Sequence, residues 1–523
     1  MPSLSNARRT LTKKSTAFAP HIHQAVAIPL DTAQDNYGSS SSSSLADADA
    51  WVADLDYDGF GKEVAALGKK LIKEGGQDDV DHLNKLVSWR NAAAVSRVKF
   101  TAVDSITSQA TDWALWEAKQ ARLRRNPDRN TVHILTFFFH LLSNHVTILQ
   151  AIGIATMWMS PNPVSIVALS TWTYASWAMI AHHTCHGGYN RVDAGNFNSR
   201  GFAIGSVFQR GKDWLDWMMP EAWNVEHNRL HHYRLNEAGD PDLVERNMQW
   251  VRGADDMPMI TRYGIVAFFM VAWKWAYYAP NTYKELKLAE MAKEGKPLPQ
   301  GFNTQQSVSI GSFLVPRDES ERALPGVVKP MDFYSKVLAP FFLTRFVLLP
   351  APLLAIPGVG PALFGHAIVN LIAAEILTNA HAFATIVTNH CGDDMYTFDD
   401  AVKPKSSAFY VRQIVGSANY ATGDDVTDFS HGWLNYQIEH HVWPDLSMLA
   451  YQKGAPELKN ICAKYGVPYV QENVFERLRK TVDIMVGKTT MRPFPTQYEP
   501  SKDKMVHELK WKSTEGAIDG EGV

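Results

Sequence analysis

The sequence predicts an all-α integral membrane protein with two transmembrane helical hairpins, one helix in the membrane interface and a helical cap on one face. Three observations predict this fold. Apolar residues are concentrated between about residues 130 and 390, in windows of roughly 18 to 25 residues that are long enough to cross a bilayer. Proline and glycine breakers separate the windows, and histidine clusters follow their ends.

Composition divides the 523 residues into four parts. Residues 1–45 are basic, with no acidic residue before Asp31, which is typical of a disordered or an organelle-targeting segment. Residues 46–129 are polar and have apolar positions at helical spacing, so we expect a small helical region over the main domain. Residues 130–488 form the membrane domain, and 489–523 form a polar tail with little expected fixed structure.

Charge and cysteine content exclude several classes of protein. The formal charge is -3 and there is no long basic run, so nucleic acid is not an expected partner. The three cysteines are too few and too dispersed for a disulfide framework. We therefore expect a membrane protein of the endoplasmic reticulum or a plastid, with its polar parts in the reducing cytosol or stroma.

Two pairs of apolar segments predict the hairpins. The first pair covers 131–158 and 164–181, and the second covers 336–356 and 361–386. A short breaker rich in proline or glycine separates the members of each pair, as in a helical hairpin.

A fifth apolar segment, 260–280, lies between the hairpins. Histidines that share one site must reach the same face of the membrane, so the number of crossings between their clusters must be even. The second hairpin supplies two crossings, and the aromatic residues of 260–280 favour an interfacial helix. The alternative is that 260–280 spans the membrane and 361–386 does not.

Many of the nineteen histidines form clusters at segment ends. His182 and His186 lie four residues apart, so a helix would place them on one face. The next cluster is Glu226-His-Asn-Arg-Leu-His-His232. At the 100° per residue of an α-helix, His227 and His231 point nearly together and His232 points about 140° from His227. This arrangement can serve two neighbouring metal ions.

The third cluster is Gln437-Ile-Glu-His-His441, and Asn389-His390 closes the last apolar segment. The candidate ligands are eight imidazoles, enough for two ions with four or five ligands each if Gln437 is a weak ninth: His182, His186, His227, His231, His232, His390, His440 and His441. Nine residues before His390, His381 would point away from the same site. We therefore expect His390, and not His381, to be the ligand.

Ligand type alone does not name the metal, since imidazole suits zinc, copper, iron and nickel. A mononuclear zinc site needs about three protein ligands and would leave most of the set unexplained. A soluble di-iron carboxylate bundle would show Glu-x-x-His pairs, which this chain lacks. Two irons beside an apolar bundle, used to activate oxygen against a hydrocarbon, are the favoured interpretation.

The spacings HxxxH, HxxxHH and QxxHH resemble the three histidine boxes of membrane fatty acyl desaturases. EHNRLHHYRLNEAGDPDL is similar to the second box of that family, and GWLNYQIEHHVWPDL to the third box of its front-end branch, where Gln stands at the position of Gln437. The resemblance covers roughly residues 130–480. It implies two irons, molecular oxygen, external electrons and an acyl-CoA or acyl-lipid substrate. The product would carry a new cis double bond nearer the carboxyl end.

This sequence departs from the family pattern in the first box, which usually reads HDxxH but has His183 at the Asp position. An acidic partner for a ligand must then come from elsewhere, and Asp240, Asp242 and Glu226 are the candidates. Asn389 and His183 are further polar groups at the edge of the site. Some front-end relatives contain a fused cytochrome b5 domain with an HPGG motif, which is absent here, so we expect a separate donor, cytochrome b5 or ferredoxin.

Other functions remain open from the residues alone. A hydroxylase or ketolase of the same superfamily uses similar boxes, although the run QIEHHVWP favours a desaturase. A non-catalytic metal-binding protein or transporter is the candidate from another class, but transporters usually place ligands near the bilayer midplane. Trp214, Trp217 and Trp223 are either core packing or the lining of an acyl tunnel.

Overall fold

The computed structural model describes residues 49–91, 152–299, 302–314 and 323–505. The expected targeting segment, the second half of the predicted 46–129 region, most of the first apolar segment and the end of the polar tail lie outside these residues.

The described part of the chain is mostly helical, as predicted. The N-terminal helices are α1 (Ala50–Ala53), α2 (Tyr57–Glu74) and α3 (Gln77–Asn91). The central helices are α4 (Pro163–Cys185), α5 (Val207–Asp213), α6 (220–231), α7 (Val244–Asn247), α8 (Gln249–Arg252), α9 (259–293), α10 (Ile310–Leu314), α11 (Pro330–Ala355) and α12 (Gly360–Asn389). The C-terminal helices are α13 (Ser407–Val415), α14 (Asp425–Ser430), α15 (Gln437–Val442), α16 (Met448–Tyr465) and α17 (Val474–Met485).

Several of these helices contain π-helical turns, and 3-10 turns occur at helix ends and in the segments between and after the helices. The π turns are Ala175–Ala181 in α4, Glu226–His231 in α6, Lys274–Tyr278 in α9, and Tyr334–Leu338 and Leu343–Leu348 in α11. The 3-10 turns are Ala351–Ala355, Val387–Asn389, Leu434–Tyr436, Thr496–Tyr498 and Ser501–Asp503.

Four two-residue strands supplement the helices. Strand β1 (Tyr396–Thr397) pairs in parallel with β4 (Arg492–Pro493), with Tyr396 opposite Arg492. Strand β2 (Ala418–Asn419) pairs in parallel with β3 (Val470–Gln471), with Ala418 opposite Val470. Each pair joins two segments that are far apart in the chain.

Three described helices are long and apolar enough to cross a membrane, namely α4, α11 and α12. Their bounds include three of the predicted apolar segments. Helix α4 is largely buried and packs along α12, whereas fewer than half of the residues in the apolar windows of α11 and α12 are buried. The pairing of the segments into two hairpins stays a prediction.

The predicted interfacial segment 260–280 lies within α9 and is not one of the three long apolar helices in the described part. Helix α9 packs against α12, and the Trp273 indole N–H donates to the Asn379 carbonyl oxygen at 3.0 Å. The residue after Trp273 is Lys274, whose ammonium group lies 5.0 Å from the ring centroid of Trp177 on α4. The first part of α9 therefore joins two of the apolar helices.

The N-terminal helices pack on the part of the chain that contains the third histidine cluster. Gly68 of α2 lies directly against the indole of Trp443, and Gly61 lies against Ser407. Asp79 near the start of α3 accepts a hydrogen bond from the Ser447 hydroxyl. Close packing of this kind requires small residues on α2, because a side chain at Gly68 would overlap the indole.

The prediction of little fixed structure after residue 488 is wrong for residues 489–505. Glu499 is buried and accepts hydrogen bonds from Arg412 at 2.7 and 2.6 Å, and Asp503 accepts one from the Ala408 backbone N–H at 3.1 Å. Buried carboxylates with such partners fix an otherwise polar segment, because leaving Arg412 unpaired in the interior would be costly.

Candidate metal centre

The first histidine cluster stands at the end of α4. A π turn over Ala175–Ala181 precedes His182, and His186 closes the helix by donating its backbone N–H to the His182 carbonyl oxygen at 3.1 Å. The four-residue spacing places both rings side by side, with ring centroids 5.0 Å apart.

The second cluster lies in a π-helical turn and not in the expected α-helix. The His232 backbone N–H donates to the His227 carbonyl oxygen at 3.1 Å, five residues earlier. A π turn brings residues five apart onto one face, so His227 and His232 point into one group of ligands while His231 points into another. The rings of His227 and His231 are nevertheless stacked 5.2 Å apart, as their predicted common direction requires, so His227 adjoins both His231 and His232.

The remaining histidines come from the C-terminal half. His390 follows the 3-10 turn that ends α12, and His440 and His441 are adjacent on the short helix α15. Adjacent residues on a helix diverge by about 100°, so they face different neighbours. The ring of His440 lies 4.6 Å from that of His186, and the ring of His441 lies 4.4 Å from that of His390.

The structure brings all eight predicted histidines together in two groups, and a third set, His227, His231 and Asp242, overlaps both. Within each group one ring nitrogen from every member lies within 4.8 Å of the others; the first group is His182, His186, His227, His232 and His440, and the second is His231, His390 and His441. The groups adjoin, since the rings of His232 and His441 are stacked 4.1 Å apart. The groups contain five and three histidines, and the expected four or five ligands for each ion are reached only if Gln437 joins the smaller group.

Ring nitrogens of the two groups face one another across short distances that could hold a metal ion. The Nε2 atoms of His182 and His440 are 2.9 Å apart. Buried ring nitrogens of His186, His227, His232 and His441 have no hydrogen-bond partner in the described part of the chain. Burial and then neighbouring imidazoles lower the pKa of these four histidines well below its usual value. The rings are thus neutral at pH 7, which is the form that binds metal.

Four of the histidines contact a residue outside the two groups through Nδ1. His231 contacts an Asp240 carboxylate oxygen at 3.0 Å, and His390 contacts the Gly416 carbonyl oxygen at 3.2 Å. His440 contacts the Tyr451 hydroxyl at 3.2 Å, and His441 contacts the Gln413 amide oxygen at 3.1 Å. Such contacts fix the orientation of a ring and leave Nε2 to face the centre. Sequence reasoning found Asp240 but missed the other three, because no motif links them to the boxes.

Nearby carboxylates together outweigh the effect of burial on the pKa of His231. Burial alone would lower the pKa of His231, but the Asp240 carboxylate raises it. Asp240 also accepts the backbone N–H of Asn236 at 2.8 Å and of Asp242 at 2.9 Å, so the loop after the second cluster wraps around this carboxylate. Asp240 therefore links the second cluster to its following loop.

The other predicted acidic residues lie behind His227. Asp242 has a carboxylate oxygen within 4.8 Å of ring nitrogens of His227 and His231. Glu226 is fully buried beside it, and burial followed by the charge of Asp242 raises the pKa of Glu226. The two acids form a pair adjacent to the first group.

The remaining predicted polar residues have different surroundings. The Gln437 amide nitrogen is 2.9 Å from Nε2 of His390, so Gln437 faces the second group. The Asn389 amide donates to the Leu434 carbonyl oxygen at 3.0 Å, and His183 contacts the Met179 carbonyl oxygen at 2.7 Å. These two are outside both groups. His381 contacts the Ser430 carbonyl oxygen at 2.7 Å and is also outside both, as expected.

Comparison with known proteins identifies the family of this chain. Residues 156–473 match the fatty acid desaturase family over more than half of the chain. The chain belongs to the fatty acid desaturase family. The match includes both histidine groups, and the named relatives below are oxidoreductases.

The relatives of this desaturase-family chain are distant. An NADPH-dependent stearoyl-CoA 9-desaturase of Mycobacterium tuberculosis is 27% identical over 268 residues, covering 50% of this chain and 54% of that protein. The sn-1 linoleoyl-lipid 6-desaturase of Arthrospira platensis is 22% identical over 301 residues, covering 57% and 69%. Acyl-lipid (8-3)-desaturase B of Dictyostelium discoideum is 24% identical over 151 residues, covering 27% and 31%. The chain thus spans about half the length of the first relative, and no solved structure matches it.

Proposed function

We propose that the protein is an oxygen-dependent fatty acyl desaturase of the front-end type, which inserts a cis double bond into an acyl chain at two histidine-bound irons. The observation that carries this proposal is the convergence of eight closely facing imidazoles beside three apolar helices. Membership of the desaturase family supports it, and Gln437 in the sequence QIEHH supports the front-end assignment.

The residues present fit a pair of irons. An all-imidazole donor set suits iron, and the two adjoining groups would each hold one ion. Gln437 faces the smaller group and would add a weak ligand there. When bound, the irons supply the activation of molecular oxygen and the one-electron chemistry that amino-acid side chains lack.

The chain itself orients the ligands and excludes water. Seven of the eight histidines are 8% exposed or less, and only His186 is partly exposed. Trp223 stacks on His227 with ring centroids 4.5 Å apart and meets His182 edge-on at 5.2 Å. A large ring in this position covers the ligands on one side. Exclusion of water from such a centre protects an oxidising reaction from side reactions.

The overall reaction balances with a separate electron donor. Two adjacent methylene groups lose one hydrogen each, and these, with two protons and two electrons, reduce one O2 to two waters. The donor would be cytochrome b5 or a ferredoxin acting at the polar face. The substrate would lie in the bilayer, as an acyl lipid or acyl-CoA; both classes occur in the names of the relatives.

Fatty acid profiling after heterologous expression tests the proposal. We expect a new unsaturated fatty acid in cells that express the wild-type chain, and none with His231→Ala. The matched control is His381→Ala, which removes a histidine outside both groups and should leave the product unchanged. Only hydroxylated or oxo products would indicate a hydroxylase or ketolase instead. Iron-loaded protein that never consumes oxygen with donor and acyl substrate would overturn the enzyme assignment.

A further inference from the structure

Helices α2 and α3 form an N-terminal arm that lies outside the family match at 156–473. Helix α2 packs on α13 and α16, which precede and follow the third histidine cluster. Helix α3 packs on α16 and on the π turn Ala175–Ala181, directly before His182. Six apolar side chains of the arm are 5% exposed or less: Phe60, Val64, Leu67, Leu71, Leu83 and Leu86. The arm therefore contacts the elements that position two of the histidine clusters.

Helix α2 covers the tryptophan that follows the third histidine cluster. Trp443 stands two residues after His441, at the end of α15, and is 7% exposed. The α2 backbone lies so close to the indole that a Cβ atom at Gly68 would be 2.4 Å from its Nε1 atom. The Trp443 backbone N–H donates to the Glu439 carbonyl oxygen at 2.9 Å. The position of the indole is thus tied to the helix that carries His440 and His441.

Helix α3 covers a second tryptophan, four residues before Gln437. Trp433 is fully buried and has a φ of 59°, a left-handed conformation that is uncommon for a bulky side chain. His82 of α3 meets its ring edge-on at 5.2 Å, and a Cβ atom at Gly432 would be 2.9 Å from the Tyr174 hydroxyl oxygen of α4. A strained conformation persists only where its surroundings fix it. Here α3 contacts the ring of this turn and α4 contacts its backbone.

The two tryptophans enclose ligands of both groups. His440 belongs to the larger group and His441 to the smaller, and Gln437 faces the smaller one. All three lie in the ten-residue interval from Trp433 to Trp443, whose two ends are covered by the arm. A displacement of the arm would therefore move ligands of both groups at once.

Solvent-exposed ion pairs determine where α2 lies along α16. Glu63 accepts from Lys464 at 2.5 Å, and Lys70 donates to Glu457 at 2.7 Å. Exposed pairs of this kind contribute little to stability individually, because water competes for both partners. Their charges can be exchanged without altering the buried face of the arm, which makes them suitable positions for a test.

We propose that the arm positions the third histidine cluster, so that docking of the arm and binding of metal strengthen each other. Gly68 and His82 are then positioning residues, which act on the ligands through Trp443 and Trp433. This proposal rests on the metal centre of the proposed function, and not on the reaction. Such coupling is reciprocal: the factor by which the docked arm increases metal affinity is the factor by which bound metal favours docking of the arm.

Hydrogen exchange of the full chain in detergent tests this coupling without catalysis. No described residue of the arm belongs to either group of histidines, so iron does not contact it directly. Coupling between two sites typically amounts to 5- to 150-fold. We therefore expect Fe(II) to slow exchange of the α2 amides between Val64 and Leu71 by at least about fivefold relative to the metal-free chain. Helix α10, which packs on α9 and α11, is the internal control and should slow less.

Charge exchange between α2 and α16 tests the coupling from the other direction. Glu63→Lys with Lys70→Glu makes both pairs repulsive, and we expect this double variant to lose iron to a chelator about fivefold faster than the wild type. Adding Glu457→Lys with Lys464→Glu restores both pairs with their charges reversed. This fourfold variant should lose iron at the wild-type rate, which a general loss of stability would not produce.

The matched control is Lys296→Glu, which breaks a similarly exposed pair with Glu294 and should leave iron loss unchanged. Equal iron loss from the wild type and the folded double variant, or α2 exchange that iron does not slow, would overturn the coupling and leave the desaturase assignment intact. A wild-type chain that binds no iron would contradict the proposed function and the coupling together. Should the double variant not fold, hydrogen exchange of the wild type decides.

Discussion

His182 and His440 stand 258 positions apart in the chain, yet their Nε2 atoms are 2.9 Å apart. Two neutral imidazoles that face each other through Nε2 repel through their lone pairs unless a proton or a metal ion lies between them. Burial, followed by the charge of His182, lowers the pKa of His440 well below its usual value, so this ring is neutral and able to bind a metal ion. A metal ion between the two rings would replace this contact, so we expect bound metal to stabilise the fold.

Metal removal should consequently destabilise the protein. A ligand that binds only the folded chain stabilises it by an amount that grows with its concentration relative to Kd, about 4 kcal/mol at a thousandfold excess. Thermal unfolding in detergent should occur at a lower temperature after chelation, and added Fe(II) should restore the original midpoint. The same treatment of His182→Ala should produce a much smaller change. An identical midpoint with and without metal in the wild type would contradict this prediction.

The contact between Asp240 and His231 predicts a loss of metal affinity without a loss of fold. Asp240→Asn keeps the shape of the side chain and removes the negative charge that supports His231. Outer partners of this kind typically contribute 10- to 100-fold in metal affinity or activity, so we expect about that loss in competition with a chelator. The control is Asp399→Asn, at an exposed residue. Equal iron affinity in Asp240→Asn and wild type would show that Asp240 does not support metal binding by His231.

The packing of α2 against α15 and its following turn predicts a steric effect at Gly68. A Cβ atom at Gly68 would approach the indole of Trp443 more closely than side-chain atoms normally do, and the indole is buried. Overpacking of a well-packed core typically costs 1–3 kcal/mol, so Gly68→Ala should lower Tm by several degrees. Gly76→Ala is the control, because no atom lies within 4 Å of its Cβ position. Similar Tm values for both variants would show that the α2 contact is loose.

A buried histidine outside the metal centre predicts a pH dependence. Burial lowers the pKa of His82 to about 4, against the opposing effect of Asp425; its ring packs edge-on against Trp433. The folded chain then binds a proton less readily than the unfolded chain, whose histidines titrate near 6.5. Stability attributable to His82 is present above pH 6.5 and is lost as the pH falls toward 4, by about 2 kcal/mol at pH 5.

Unfolding measured between pH 7 and pH 5 checks this sign. The stability of His82→Leu should fall less steeply than that of the wild type, since the substituted side chain binds no proton. His431→Leu, at a partly exposed histidine, should follow the wild type. A steeper fall in His82→Leu than in the wild type would contradict the assigned direction.

The histidine set could be predicted because each cluster is a local pattern. His182 with His186, and His440 with His441, are recognised from spacing alone, and the apolar windows locate them at helix ends. The division between the two groups could not be predicted, because it depends on the π turn at Glu226–His231. Nothing in that stretch of sequence distinguishes a π turn from an α-helix.

The outer contacts also depend on the folded chain. Gln413 and Tyr451 lie 28 and 11 residues from the histidines they hold, on other helices, and neither belongs to a motif. The order of residues 489–505 was missed for the same reason, since Glu499 looks solvated until Arg412 is placed beside it. Local patterns predicted the ligands, and long-range packing determined how they are held.

Counting the iron tests the central claim most directly. Wild-type protein, purified anaerobically and reconstituted with Fe(II), should contain two irons per chain by elemental analysis. Two variants should lose metal selectively: His186→Ala from the larger group and His390→Ala from the smaller group, with about one iron retained in each case. His381→Ala should keep both. A wild-type content of one iron or none, or two irons retained in both ligand variants, would contradict a paired centre held by these eight imidazoles.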